Sequence, residues 1–244
     1  MLTAIKPVTR RILNNIFPPQ CISCYTPTGE TAALCSACWD SISFIGSPLC
    51  DRCGTPFEID TPDNTICAGC SYRKPQFDRS RSVFKYDDHS RQIITNFKYR
   101  DNTYTSDAFA RWMMRSGVDI LKNSDILAPV PLHRLKLIKR RYNQSALLVN
   151  SIAKMTYIEK HNNLLLRVKN TPPQAGLTYK QRFGNMSGAF KLNSKYKNII
   201  KGKRICLVDD VLTTGATIEA CAKILKKSGA AKVHVLTLGC TVKG

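Results

Sequence analysis

Four Cys-x-x-Cys pairs crowd the first third of the chain: Cys21 and Cys24, Cys35 and Cys38, Cys50 and Cys53, Cys67 and Cys70. A stretch this short, with few large apolar side chains, cannot fold on a hydrophobic core alone. The cysteines must hold it, either as disulfides or as metal ligands. Residues 1–19, MLTAIKPVTRRILNNIFPP, decide between the two. Arg10, Arg11, Asn14 and Asn15 interrupt any apolar run, and no small-residue cleavage site follows, so the chain reads as cytoplasmic with no secretory signal. Thiols there stay reduced, and clustered thiols bind metal. Two thiolates two residues apart can turn back onto one ion about 2.3 Å from each sulfur, and two such pairs close a tetrahedron. All eight cysteines go to closed sites, which predicts two structural zinc ions whose binding energy becomes folding energy. The pairing stays open between consecutive and cross-braced arrangements. Gly54 and Gly69, placed where a knuckle turn can use a positive φ, favour the consecutive one.

Ahead of the pairs, Ile5, Val8, Ile12, Leu13 and Ile16 recur at helical spacing and predict an amphipathic helix over 1–19. Such a stripe can dock on its own protein, on a partner or on a membrane surface; we adopt the first. Apolar runs are only a handful of residues, far short of the roughly 20 that span a bilayer, so no transmembrane segment is expected.

Charge divides the chain as the cysteines do. Lys and Arg number 37 against 17 Asp and Glu, a formal net charge of +20. Residues 1–80 carry equal numbers of each sign, so the whole excess lies in 81–244. A cationic field of this kind attracts nucleic acid, phosphorylated metabolites or an anionic membrane surface. It also serves plain solubility.

Past a linker at 71–78, strand and helix patterns alternate. Arg81–Tyr86 reads as a strand, and Ile93, Ile94 and Phe97 mark a helix. A second helix runs over 104–122, Ile126–Leu132 is a short apolar run, and helical periodicity resumes over 143–155. A strand at 204–209, a helix at 218–228 and a strand at 233–238 close the chain. Alternation of this kind argues for an α/β fold, a parallel sheet with helices on both faces. The expected domains are 1–19, a helix; 20–75, a double zinc ribbon; and 80–244, the α/β domain.

The most informative segment is Ile205-Cys-Leu-Val-Asp-Asp-Val-Leu-Thr-Thr-Gly-Ala-Thr217. Its apolar residues make a buried strand. Asp209 and Asp210 follow at the carboxyl end, where open α/β sheets bind ligands. Thr213, Thr214, Gly215, Ala216 and Thr217 form a tight turn into a helix, whose N–H groups and hydroxyls cradle a phosphate. The carboxylates suit vicinal sugar hydroxyls instead.

This segment resembles the phosphoribosyl-pyrophosphate (PRPP) signature of type I phosphoribosyltransferases. Pro129-Val-Pro-Leu-His-Arg134, Arg140-Arg-Tyr-Asn-Gln144 and then Arg167, Thr171, Gln174, Leu177, Arg182, Asn185 and Phe190 resemble the pattern of the ComF/GntX family, whose members also open with a double zinc ribbon. One departure stands after Lys98, where Tyr99-Arg-Asp-Asn102 occupies the place of an expected glycine. The resemblance implies that Asp209 and Asp210 hold the ribose hydroxyls, with either as a candidate catalytic base. It gives Thr213–Thr217 the 5-phosphate, and places the pyrophosphate near His133 and Arg134. Mg²⁺ arrives with the substrate. The resemblance also implies a role in natural transformation, acting on incoming single-stranded DNA in the cytoplasm alongside other cytoplasmic or inner-membrane DNA-uptake proteins.

Arg134, Lys136, Lys139, Arg140 and Arg141, with Tyr142 alongside, are the candidate DNA contacts, because cations track phosphates while a ring stacks on a base. The same cations suit pyrophosphate. Two alternatives stay open: an active phosphoribosyltransferase of nucleotide or related metabolism, and a PRPP sensor without catalysis. Nothing in the sequence names an acceptor.

Overall fold

The structure, a computed structural model, describes residues 18–99, 105–171 and 179–242. The helix expected over 1–19 lies outside them except for its last two residues. So do residues 100–102 of the departure, Tyr104, Gln174 and Leu177, and the side chains of Lys139 and Arg182.

The Cys-rich front is two copies of one unit. Cys21 N–H donates to Thr26 O at 2.8 Å and Tyr25 N–H to Cys21 O at 3.0 Å; Cys50 N–H donates to Thr55 O at 2.9 Å and Gly54 N–H to Cys50 O at 2.9 Å. A short helix then opens directly behind the third cysteine of each unit, α1 (Ser36–Ser41) after Cys35 and α2 (Ala68–Arg73) after Cys67. The repeat is hidden in the sequence because only its cysteines and a Thr-Pro step recur. The expected linker begins late, since α2 runs to Arg73 before Lys74 turns left-handed.

The turn residue of each knuckle is left-handed, with φ of 66° at Tyr25 and 69° at Gly54. Gly69 makes no such turn; it lies inside α2. At Gly54 the absence of a side chain is also steric: a Cβ would sit 2.5 Å from Ser80 O. The second ribbon presses on the sheet there, and Ser80 N–H donates to Arg52 O at 2.7 Å.

Behind the ribbons the chain runs through β1 (Arg79–Lys85), α3 (Asp88–Tyr99), α4 (Ser106–Ser116), α5 (Val118–Lys122), β2 (Ile126–Pro129), α6 (Arg134–Arg140), α7 (Gln144–Thr156) and β3 (Glu159–Lys160). It continues through β4 (Leu165–Arg167), α8 (Tyr179–Met186), β5 (Phe190–Leu192), β6 (Arg204–Leu212), α9 (Ala216–Lys227) and β7 (Lys232–Cys240). Five strands form a parallel sheet in the order β1-β7-β6-β2-β3, and β4 and β5 pair antiparallel beside it. The single helix expected over 104–122 is broken at Gly117, where a Cβ would meet Leu236 Cδ1 at 2.5 Å. The helix passes too close to β7 to carry a side chain there.

Strand periodicity sorts the core into two layers. Cys206, Val208, Leu236 and Leu238 pack with Phe97, Phe109, Leu148 and Ile152 on the α3, α4 and α7 face. Ile205, Leu207, Val233 and Val235 pack with Ile218, Cys221 and Leu225 of α9 on the other. Covering both faces explains the near-continuous apolar runs of β6 and β7.

Each ribbon docks through its knuckle carbonyls. Buried Asn96 of α3 donates from Nδ2 to Ile22 O at 3.0 Å and to Ser23 O at 2.9 Å. Arg81 of β1 donates to Asp51 O at 3.1 Å and pairs with Asp119 at 2.8 Å, while Arg79 pairs with Asp51 at 2.8 Å.

Candidate functional site

The eight ribbon thiols fall into two consecutive groups, Cys21, Cys24, Cys35 and Cys38, and Cys50, Cys53, Cys67 and Cys70, with the ligand atoms of each within 4.8 Å of one another. Cys35 N–H and Cys67 N–H donate to the sulfurs of Cys21 and Cys50, both at 3.3 Å. Cys50 is held down at about 4, chiefly by a hydrogen bond from the Cys53 thiol, and that same bond pushes Cys53 up. Thiols that share protons in this way match a tetrahedral divalent ion, which replaces the protons and neutralises the thiolates. The donor sets fit two structural zinc ions.

A second site lies where the sheet changes direction. The chain leaves β2 through α7 toward β3 on one side, and leaves β6 through α9 toward β7 on the other, so β2 and β6 flank the switch point at which such sheets bind ligands. Strand β6 is longer than the sequence suggests. Asp209 and Asp210 lie within it, because β7 continues to pair Val211 with Gly239 and Leu212 with Cys240. On the opposite side β2 ends at Pro129, which pairs with Val208; Val130 N–H still donates to Val208 O at 2.9 Å, and the β2–β6 pairing stops there, short of Asp209 and Asp210. One flank of β6 is thereby opened at the two carboxylates.

The crevice has a volume of about 250 Å³ and is lined by Lys98, Arg140, Arg167, Asp209, Asp210 and Thr213, among others. Asp209 Oδ1 accepts from Ser145 Oγ and from Asp210 N–H, both at 2.9 Å. Burial, and then the neighbouring Asp210 charge, push Asp209 up to about 7. Asp210 Oδ2 instead pairs with Lys98 Nζ at 2.9 Å. Burial works against the Lys98 charge, yet the two carboxylates outweigh it and raise its pKa. Asn143 caps α7, accepting from Ser145 N–H at 3.1 Å, while its Nδ2 donates to Val130 O at 3.0 Å. Both α7 and α9 therefore aim their N-termini at the carboxylates from opposite faces of the sheet.

The turn after the strand is short of partners. Gly215 adopts φ of 79° and is the N-cap of α9, between Thr213 and Thr217, which line the crevice. Thr214 Oγ1 is buried without a hydrogen-bond partner among the described residues, and so is Arg167 Nε. Burial lowers the Arg167 pKa, with its guanidinium 5.4 Å over the Phe190 ring. Half-buried Lys136 is also lowered, first by burial and then by the charges of Arg167 and Arg140. Arg140 and Arg167 line the crevice with the two carboxylates, and Lys136 lies close enough to both cations to feel their charge. The unsatisfied Thr214 hydroxyl belongs to the turn between lining residues Thr213 and Thr217. The chemistry that relieves cations, carboxylates and hydroxyl together is a ligand with several anionic oxygens and a polyol.

The expected contacts separate. Asp209, Asp210, Thr213 and Thr217 line the crevice, with Thr214, Gly215 and Ala216 in the same turn. His133 caps α6, its Nδ1 accepting from Leu135 N–H at 3.3 Å, and Arg134 is exposed; neither lines the crevice. Of the cation cluster, Lys136 and Arg140 turn toward Arg167, Arg141 is exposed with φ of 65°, and Tyr142 is half-buried. Lys98, Ser145 and Arg167 were not singled out as site residues. Asn143, a capping residue at the start of the expected 143–155 helix, is a usable signal for Ser145. Lys98 reaches the site across α3, which no local pattern announces.

Comparison with known proteins places the two halves separately. Residues 12–71 match the double zinc ribbon domain, and residues 135–239 match the phosphoribosyl transferase domain. Competence protein F of Haemophilus influenzae is 31% identical over 227 residues, covering 91% of this chain and 96% of its own length. DNA utilization protein YhgH of Escherichia coli is 26% identical over 210 residues, 84% of this chain and 89% of that protein. Among solved structures, a glutamine PRPP amidotransferase from Bacillus subtilis aligns with 59% of this chain at 20% identity and a TM-score of 0.35, and the aligned part is 27% of that enzyme.

Proposed function

This chain belongs to the ComF family, and from that premise we propose that it binds PRPP at the β6–α9 turn and handles incoming single-stranded DNA in the cytoplasm during natural transformation. The observation that carries the PRPP half is the buried, unpartnered Thr214 hydroxyl beside two carboxylates at the switch point. A buried hydroxyl left unpaired is destabilising by about 1–3 kcal/mol, and a phosphate oxygen is the partner it lacks. In this reading Thr213–Thr217 hold the 5-phosphate, and Asp209 and Asp210 accept from the ribose hydroxyls. Lys98 gives up Asp210 for the substrate. Lys136, Arg140 and Arg167 meet the pyrophosphate, with His133 and Arg134 at its outer edge. Mg²⁺ would arrive with the substrate near Asp209 and Asp210 and would supply charge neutralisation of the pyrophosphate.

The DNA half is supported by the relatives' roles in competence and DNA utilization and by a cationic back domain. Arg134, Lys136, Lys139, Arg140, Arg141 and Tyr142 are its proposed contacts. A second reading, phosphoribosyl transfer to an acceptor, is favoured by Asp209 alone. A carboxylate held near 7 is poised to take a proton from a nucleophile. PRPP binding without transfer needs no such poise.

The test is a calorimetric titration of PRPP with Mg²⁺ into the wild type and an Asp209→Asn/Asp210→Asn variant, with and without bound single-stranded DNA. The reading expects binding to fall about 100-fold in the variant, since each charge-assisted hydrogen bond contributes about 1.5–3 kcal/mol. Equal binding by both proteins contradicts the ribose assignment. Pyrophosphate release on adding an acceptor separates the transferase from the sensor.

A further inference from the structure

The chain has two tryptophans, and they meet at its surface. Trp39 of α1 and Trp112 of α4 lie 6.2 Å apart between ring centroids, nearly edge to face at 75°. Phe44 completes the group, 4.7 Å from Trp39 and 6.0 Å from Trp112. Behind them the rings continue inward, from Phe44 to Phe84 and from Trp112 through Phe109 to Phe97, all three inner rings being buried. The outer rings are thus fixed on the core, yet Trp39 is 48% and Phe44 37% exposed, and α1 buries no residue at all. A rigid aromatic face in water has given up burial that a small shift of α1 could recover.

Its free cations lie on the α4 side. Arg111 and Arg115 of α4 are exposed, four residues apart on one helix face that adjoins the Trp112 position. Neither has an ion-pair partner among the described residues. The nearest acids in sequence are exposed Asp40, next to Trp39, and Asp107, four residues before Arg111, with the Asp107 carboxylate accepting from Ser151 Oγ at 2.6 Å. Flat π faces beside unpaired guanidinium groups suit single-stranded nucleic acid, because every base stacks and every linkage carries a phosphate. Helix α6 lacks this combination. Its exposed apolar residues are the aliphatic Leu135, Leu137 and Ile138, and the ring nearest to it in sequence, Tyr142 behind its C-terminus, is half-buried.

We infer that Trp39, Phe44 and Trp112 form the base-stacking surface for single-stranded nucleic acid, with Arg111 and Arg115 on its phosphates. The inference rests on the DNA-handling reading and moves the base contacts from α6 to the junction of the first ribbon with α4.

Because the only two tryptophans sit in this patch, their emission reports on it alone. Zinc-loaded full-length protein is titrated with oligothymidylate, following tryptophan emission and, with a labelled strand, anisotropy. The expected result is saturable quenching with the same midpoint as the anisotropy change. Trp39→Ala is expected to weaken binding roughly tenfold, within the range for loss of one stacked base. Trp39→Phe restores most of it, and zinc content confirms that the ribbon stays folded. Arg111→Gln/Arg115→Gln lowers the slope of log affinity against log salt by about one to two. Binding by anisotropy with unmoved emission and an indifferent Trp39→Ala variant overturns the stacking surface and leaves DNA handling with α6. That outcome also covers a patch occupied by residues 1–17 or by a second copy of the chain. No anisotropy change at all removes the DNA reading, and this inference with it.

Discussion

In the ribbons, four thiols face one another within 4.8 Å and accept backbone N–H groups. In the β6–α9 crevice, Thr214 Oγ1 and Arg167 Nε lie buried without a partner among the described residues, and three cations crowd together. Both regions concentrate polar groups where water is scarce. One set is complete with a single ion, and the other is complete only with a larger ligand. On the proposed reading, saturation separates a centre that holds a fold together from one that recruits a substrate, even though both are dense clusters in sequence.

The largest expected effect tests the closed side. Cys53→Ser, or chelation of zinc, removes an interaction whose structural counterparts contribute about 10–16 kcal/mol, so the ribbon should unfold. Metal content should drop and residues 20–75 become protease-sensitive, while the sheet retains its far-ultraviolet dichroism. A ribbon that stays protected without metal would show that its core, not its thiols, holds it.

Smaller effects test how the closed side is fastened to the open one. Gly54→Ala places a Cβ against Ser80 O in a left-handed turn, and should destabilise the second ribbon's dock by about 1–3 kcal/mol. Asn96→Ala leaves the Ile22 and Ser23 carbonyls without their donor, with a similar expected loss at the first ribbon. Hydrogen exchange should show each change loosening only its own ribbon. Loosening of both by either change would mean that the ribbons are one unit.

The open side itself is tested by a pH dependence. Asp209 titrates at about 7 in the folded protein against an ordinary value of 3.8. The folded state therefore binds the extra proton, and this group's contribution to stability is complete below about 4 and lost as pH rises through 7. The melting temperature of Asp209→Asn relative to wild type should climb across that window. A flat difference would place Asp209 in water.

Much of this was legible in the sequence. The four Cys-x-x-Cys pairs fixed the chemistry of the front, and the run from Ile205 to Thr217 marked strand, carboxylates and turn, because each rests on local spacing. What escaped depends on distant approach. Gly117, at the break between α4 and α5, must lack a side chain because Leu236 lies behind it. Strand β6 passes Asp209 only because β7 continues to Cys240. Gly69 looked like a knuckle glycine and proved helical, since the turn at that cysteine opens α2 instead. Lys98 joins the crevice through tertiary packing that carries no local signature.

The central claim is that the turn at Thr214 is an unfinished site, and Thr214→Val tests it most directly. Replacing an unsatisfied buried hydroxyl by a methyl of the same shape is neutral or stabilising for the fold. We expect an unchanged or higher melting temperature together with roughly tenfold weaker PRPP binding by calorimetry. A lower melting temperature with unchanged PRPP affinity would mean that the hydroxyl serves the fold, and would contradict the account.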